Sequence, residues 1–234
     1  LSSDSTNLDK NIEKFLQSFI KKSPELNKYF IKNKVKFNYS FDFTGKKKNV
    51  VMAANIKTRE IYVNSKLIKK IIKKYNKLKF KDEATKYEFI VNRSKSVVWH
   101  EVGHLEDWKT GSKKDFWKLW KKINAHDKNN KFVTLSRKDK IVIMQFISEA
   151  SADIHSMEKM SKENVSSEVL NRISKIAKSH SMRYMRKVYK LIDKDKILAE
   201  DVFELIKKYL NKEFIEIFKK RYKKDLDFAK RFKK

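Results

Sequence analysis

The stretch Val97-Val98-Trp99-His100-Glu101-Val102-Gly103-His104-Leu105 decides how the rest of the chain is read. Its centre is an H-E-x-x-H pattern. In a helix, His100 and His104 stand one turn apart on one face. Two imidazoles at that spacing can reach one tetrahedral zinc ion. Glu101 lies about 100° round the helix from His100 and is wrongly placed for a third ligand in cis. It can instead take a proton from a water at such an ion. The neighbours Val97, Val98, Trp99, Val102 and Leu105 are apolar, as a buried helix requires. Glu106 departs from that pattern.

Two histidines do not complete a catalytic zinc site, which usually has three protein ligands and an open position. Downstream the chain offers His126, His155, His180 and a carboxylate. The best stretch is Ile147 to His155, expected to be helical. There Glu149 and Asp153 share a face at i, i+4, and Ala150, Ser151 and Ala152 are small enough for another helix to approach closely. Glu149 is the favoured third ligand. Asp153 suits the acceptor that takes the N–H of a ligating histidine and fixes its tautomer. His155 lies about 240° round from Glu149, so the two cannot face one metal. A solvated acidic pair is the competing reading of Glu149 and Asp153, and their apolar and small neighbours argue against it.

Working outward, the hydrophobic period sorts the chain. Ile12, Phe15, Leu16, Phe19 and Ile20 make a helical stripe over Asn11 to Ile20, after a polar and frayed start. Ser23-Pro24 is expected to open a short helix to about Ile31, with Ser23 as its cap. Val35, Phe37, Tyr39, Phe41 and Phe43 alternate strictly, which predicts a strand. A turn at Thr44-Gly45-Lys46 follows, then strands Asn49 to Asn55 and Arg59 to Asn64 joined by Ile56-Lys57-Thr58. Helices are expected from Ser65, as cap, to Leu78; from Asp82 to Trp108; from Lys113 to Ile123; and from Arg137 to Met160. The segment Asn124 to Asn130 reads as a loop. Residues from about Ser166 onward read as helix, with breaks near Asp193 and Asn211. The expected class is α+β and mostly helical, with a small N-terminal sheet. Residues 1–34 form N-terminal helices, 35–110 the sheet and active-site helix, and 111–234 a helical subdomain.

Composition sets the outer limits. A chain of 234 residues that is 40% hydrophobic and 12% aromatic can bury a substantial core. It has no cysteine, which excludes disulfides and thiolate metal sites. No apolar run is long enough to cross a membrane. A start at Leu1 suggests a processed form or a fragment. The formal net charge of +29 attracts polyanions or an anionic surface. The excess is mostly lysine, whereas base readout and phosphate forks favour arginine. General surface charge is therefore the favoured reading over nucleic-acid binding.

H-E-x-x-H followed by E-x-x-x-D, at Glu149 and Asp153, resembles the gluzincin branch of zinc metallopeptidases. The spacing from His104 to Glu149 is similar to that in the anthrax lethal factor catalytic domain and, more loosely, the secreted Pro-Pro endopeptidases. The resemblance covers about residues 49–155. It implies a zincin-like fold and a Zn2+ ion held by His100, His104 and Glu149. It also implies that Glu101 acts as general base and then general acid, and that Asp153 supports a ligating histidine. The paired strands resemble the gluzincin hairpin, whose first strand takes the substrate backbone as an added strand, here at Ala54 and Asn55. The activity implied is endopeptidase cleavage of a peptide or protein, with an acidic substrate suiting the charge and secretion favoured by analogy. The lethal-factor type carries a tyrosine before its third ligand, where this chain has Asp139-Lys140-Ile141-Val142. His180 and Tyr184, at i, i+4, are the candidate donors to the oxyanion. A second resemblance runs from Leu105 to Ile123, where Phe116-Trp117-Lys118-Leu119-Trp120 is similar to the segment after the motif in SprT-like proteases of DNA-associated proteins. Those need a further histidine that this segment lacks. The remaining alternative is a non-catalytic polyanion-binding protein with a structural zinc.

Overall fold

A computed structural model describes residues 3–43, 49–110 and 136–231. The described residues are mostly helical, with a three-stranded sheet near the N-terminus, the α+β class expected. The expected turn at Thr44-Gly45-Lys46, the helix from Lys113 to Ile123 and the loop holding His126 lie outside the described residues. The chain forms two compact units. One comprises Leu1–Leu105 and His155–Ile176, the other Glu106–Ile154 and Ala177–Lys234.

The first unit begins with α1 (Ser3–Lys22) and α2 (Pro24–Asn33). The stripe of α1 is buried as its spacing requires, at Ile12, Leu16, Phe19 and Ile20. The helix starts at Ser3 rather than Asn11. Pro24 opens α2, but the Ser23 hydroxyl does not cap it. That hydroxyl instead donates to Glu163 Oε1 at 2.6 Å.

The sheet has the order β1-β3-β2, with β1 at Lys36–Asn38, β2 at Met52–Asn55 and β3 at Glu60–Val63. β1 runs parallel to β3, and β2 antiparallel to it. The strand expected over Val35 to Phe43 is cut to three residues because Asn38 Oδ1 takes the N–H of Ser40 at 3.0 Å. That local side-chain bond competes with the ladder and turns the chain away. The alternating aromatics still pack in order. Phe37 meets Tyr39, and Phe41 stacks on Tyr62 of β3 with ring centres 4.2 Å apart. The opposite face of β3 sends Ile61 and Val63 into the core.

β2 and β3 form the expected hairpin. Asn55 Oδ1 accepts the N–H groups of Lys57 and Thr58 and shapes the turn. Arg59 stands in the left-handed region at φ 56, a position that suits glycine better. Its guanidinium offsets the strain by donating to Asn33 O and Oδ1 at the end of α2. α3 (Ser65–Tyr75) is capped by Asn64, whose Oδ1 takes the Leu67 N–H, not by Ser65. α4 (Glu83–Thr110) is capped by Asp82, which accepts from Thr85 N at 2.6 Å.

Glu163, just beyond α5 (Arg137–Met160), ties this unit together. It accepts from Ser23 Oγ, from Lys95 Nζ at 2.6 Å and from Trp99 Nε1. Burial alone would push the Glu163 carboxyl up, but the Lys95 ammonium and these donors outweigh it and hold it below the usual glutamate value. Ser156 Oγ closes a further buried bond to Ser96 O at 2.7 Å. These contacts fix the turn of α4 that precedes His100.

The described residues of the second unit are helical. Ser136 and Asp139 form a reciprocal capping pair at the start of α5. α6 (Ser167–Ile192), α7 (Ala199–Tyr209) and α8 (Lys212–Arg231) complete the described chain. The core of this unit contains Phe146, Met185, Val188, Val202, Ile206 and Phe218. The breaks expected near Asp193 and Asn211 are present. Asp195 takes a positive φ of 52 in the first break, and Asn211 Oδ1 accepts the Phe214 N–H after the second.

Candidate functional site

In the first unit the H-E-x-x-H turn is helical, as its spacing predicts. Val98, Trp99, Val102 and Leu105 anchor it in the core, all at 5% exposure or less. That anchoring leaves the opposite side of the turn to the polar residues. His100 and His104 are half-buried, with their Nε2 atoms 3.1 Å apart. Two imidazole nitrogens on one tetrahedral zinc, at Zn–N distances of about 2.0–2.1 Å, would stand about 3.3 Å apart. The histidine pair therefore fits one zinc ion in spacing and in donor chemistry.

Glu101 is buried, and its Oε2 accepts the backbone N–H of Ala54 at 2.8 Å. Ala54 lies opposite Ile61 in the antiparallel ladder. Because its N–H leaves the ladder for Glu101, its carbonyl also points off the outer side of β2. Among the described strands β2 is an edge, so the carboxylate sits against an edge strand with outward backbone groups. The Asn55 side chain is engaged in the hairpin, with Nδ2 donating to Tyr62 Oη and Oδ1 holding the turn.

In the second unit α5 and α6 bring together four of the residues singled out from the sequence. Asp153 Oδ2 accepts from His180 Nδ1 at 3.0 Å. Glu149 Oε2 is 3.8 Å from Nε2 of the same imidazole. Tyr184 packs edge-on against that ring, centre to centre 5.3 Å. Burial first, then the Glu149 and Asp153 carboxylates, push the Tyr184 hydroxyl above its usual range against the pull of Arg183. At neutral pH the hydroxyl keeps its proton and is a hydrogen-bond donor.

Sequence reading overlooked Ser181. It is fully buried, and its Oγ donates to Asp153 Oδ2 at 2.5 Å. A polar residue beside His180 on an otherwise periodic helix was the available signal. His155 belongs to the first unit, where its ring packs edge-on against Trp99 at 6.0 Å. His126 lies outside the described residues.

The structure thus assembles His100, Glu101, His104 and Ala54 within one unit, and Glu149, Asp153, His180, Ser181 and Tyr184 within the other. No helix among the described residues is long and apolar enough to cross a membrane. No protein-family model matches the chain, and neither a curated protein nor a solved structure matches it at a significant level.

Proposed function

We propose that the protein is a zinc-dependent metalloendopeptidase of gluzincin type with a zincin-like catalytic fold. The observation that carries this reading is the turn itself: two histidine nitrogens at zinc-ligand spacing, beside a buried carboxylate held on an edge strand. A structural zinc site has no use for Glu101 in that position. The proposed ligands are His100, His104 and Glu149. A bound zinc ion would supply an acidified water and polarise the scissile carbonyl.

The chain's own groups do the rest. Glu101 takes the proton of the attacking water and passes it to the leaving nitrogen. Its bond to Ala54 N–H fixes which oxygen faces the reaction. The Ala54 carbonyl and neighbouring backbone of β2 receive the substrate as an added strand. Asp153 holds an imidazole in a single tautomer, as it does for His180. Tyr184, kept protonated, is one proposed donor to the developing oxyanion; His180, whose Nδ1–H is given to Asp153, is the second and donates from Nε2 only as the imidazolium. A lysine-rich surface of net charge +29 favours acidic substrates through long-range attraction. Secretion accords with the resemblance to secreted endopeptidases.

The test pairs elemental analysis with cleavage of a peptide library. Wild type is expected to carry about one zinc per chain and to cut. Glu101→Gln is expected to keep the zinc and the fold while losing about 10²–10⁴-fold or more in turnover. Cleavage by Glu101→Gln at the wild-type rate would overturn the mechanism. A folded wild type that takes up no zinc even when supplied with it would overturn the whole reading.

A further inference from the structure

Residues 61–81 hold eight lysines and no aspartate or glutamate, between Glu60 and Asp82. The whole chain has 58 basic residues to 29 acidic ones, so this run stands apart from the general excess. Helix α3 sorts the lysines onto one side. Ile68 is buried, and Ile72 and Tyr75 pack against the core of the first unit. Lys66, Lys70, Lys73 and Lys74 fall within an arc of about 100° on the opposite side of the helix. All four are exposed. Lys77, Lys79 and Lys81, also exposed, carry the run past the end of α3.

Lys86, Lys95 and Lys159 of the same unit each pair with a carboxylate. Among the described residues, Lys66, Lys70, Lys73, Lys74 and Lys77 form no ion pair. Lys66 with Lys70, and Lys70 with Lys74, stand at i, i+4, where like charges oppose helix formation. The helix dipole favours Lys73 and Lys74 in the last turn but opposes Lys66 in the first. An anionic partner would relieve both. The run also carries an exposed apolar tip. Lys77 N–H donates to Lys74 O and Leu78 N–H to Tyr75 O, which makes a turn. Leu78 is exposed there, between Lys77 and Lys79. Phe80 tethers the turn, with its ring 5.1 Å from that of Phe89 and the Arg172 guanidinium 4.4 Å from its centre.

We propose that α3 and the turn after it dock the protein on an anionic lipid bilayer, with the lysine face on the headgroups and Leu78 at the boundary with the acyl chains. A cluster of about four to eight lysines on one helix is the pattern that anionic headgroups attract. Basic charge with an apolar insertion supplies the two signals that stable attachment needs. Nucleic acid fits this face less well. Forked binding of phosphate needs arginine, and residues 61–81 have none. Base stacking needs an outward aromatic ring, whereas Tyr75 and Phe80 both pack on Phe89. A headgroup surface needs neither. This docking does not depend on zinc or on peptide cleavage.

Co-sedimentation of the full chain with phosphatidylcholine vesicles, with and without about one-third phosphatidylglycerol, tests the proposal at about 0.1 M salt. Binding to the anionic vesicles is expected to be about tenfold tighter or more than to the neutral ones. A variant with Lys66→Gln, Lys70→Gln, Lys73→Gln and Lys74→Gln should bind them about tenfold more weakly or worse. A control with Lys190→Gln, Lys207→Gln, Lys212→Gln and Lys220→Gln removes the same charge from exposed positions of the second unit. It should change affinity less than about threefold. Leu78→Ser leaves the charge untouched and should weaken binding about threefold or more. Equal affinity for neutral vesicles, equal losses in the two lysine variants, or wild-type binding by Leu78→Ser would each overturn the assignment. A DNA duplex titrated at the same salt should lose no more affinity in the α3 variant than in the control. A larger loss for the duplex than for the vesicles would give the face to nucleic acid and overturn the proposal. If the α3 variant fails to fold by circular dichroism, the pairs Lys66→Gln, Lys70→Gln and Lys73→Gln, Lys74→Gln are tested separately. Each should weaken vesicle binding about threefold or more, and wild-type affinity in both would overturn the proposal.

Discussion

The two polar groups of this protein differ in how the chain brings their members together. In the first unit His100, Glu101 and His104 occupy one helical turn, and a single backbone N–H from β2 completes the set. In the second unit Glu149 and Asp153 come from one helix, and His180, Ser181 and Tyr184 from another. In the first arrangement the His100, Glu101 and His104 spacing follows from helical geometry once the helix forms, and only the Ala54 contact needs β2 in place. The second exists only if α5 and α6 pack in one register, which the core around Phe146, Met185 and Val188 must enforce. A chemical role encoded by local geometry tolerates loss of tertiary precision better than one encoded by packing.

The comparison breaks most visibly at the metal. His104→Ala and Glu149→Ala are each expected to drop zinc from about one per chain to nearly none, since either leaves two protein ligands. Elemental analysis after desalting reads the result. Retention of zinc in Glu149→Ala, with loss in His104→Ala, would remove Glu149 from the proposed ligand set and move the third ligand to a histidine.

Stability sharpens the contrast from the other side. The H-E-x-x-H turn is local, but its position depends on Glu163, which joins α4 to the start of α2 through Lys95, Trp99 and Ser23. Lys95 and Glu163 side chains are only 12% and 16% exposed. Glu163→Ala leaves a nearly buried ammonium unpaired and is expected to cost about 3–5 kcal/mol in chemical denaturation. The pH dependence has a definite sign. The Glu163 pKa is lowered on folding, so its contribution is complete above the unfolded value of 4.5 and is lost as pH falls through the lower folded value. Wild type should therefore lose more stability than Glu163→Ala on acidification below about pH 4.5. Parallel acid titrations of the two would discard this account of the hub.

What could be read from the sequence followed the same division. The α+β class, the extent of α5 and the hairpin were legible because hydrophobic period and turn chemistry are local signals. The long strand over Val35 to Phe43 was not, because the alternation that marks a buried face is blind to Asn38 diverting the Ser40 N–H. Caps misled where two candidates were adjacent. Asn64 outcompetes Ser65, and the Ser23 hydroxyl is drawn away to a glutamate 140 residues downstream. The unit boundaries fall inside helices, at 105/106, 154/155 and 176/177, where composition leaves no mark. At the site, the histidine turn was visible in full. Glu149, Asp153, His180 and Tyr184 could be listed from the sequence, but their grouping around one imidazole could not.

Ser181 gives the smallest and most discriminating effect. Its buried hydroxyl donates to the same Asp153 oxygen that holds His180. Ser181→Ala removes a hydrogen bond to an ionised group and leaves a small cavity. A cost of about 1.5–3 kcal/mol is expected from the lost bond. If the second group is set by packing, Asp153 then has freedom to rotate, and the His180 ring loses its fixed orientation. Ser181→Thr keeps the hydroxyl and should recover the Nδ1-protonated tautomer even if its extra methyl strains the helix pair. Nitrogen-15 shifts of the His180 ring read the tautomer directly, apart from stability. An unchanged tautomer in Ser181→Ala would mean that His180 and Asp153 hold each other without help. The second group would then be as self-contained as the first, and the contrast between local and packed chemistry would fail at its strongest point.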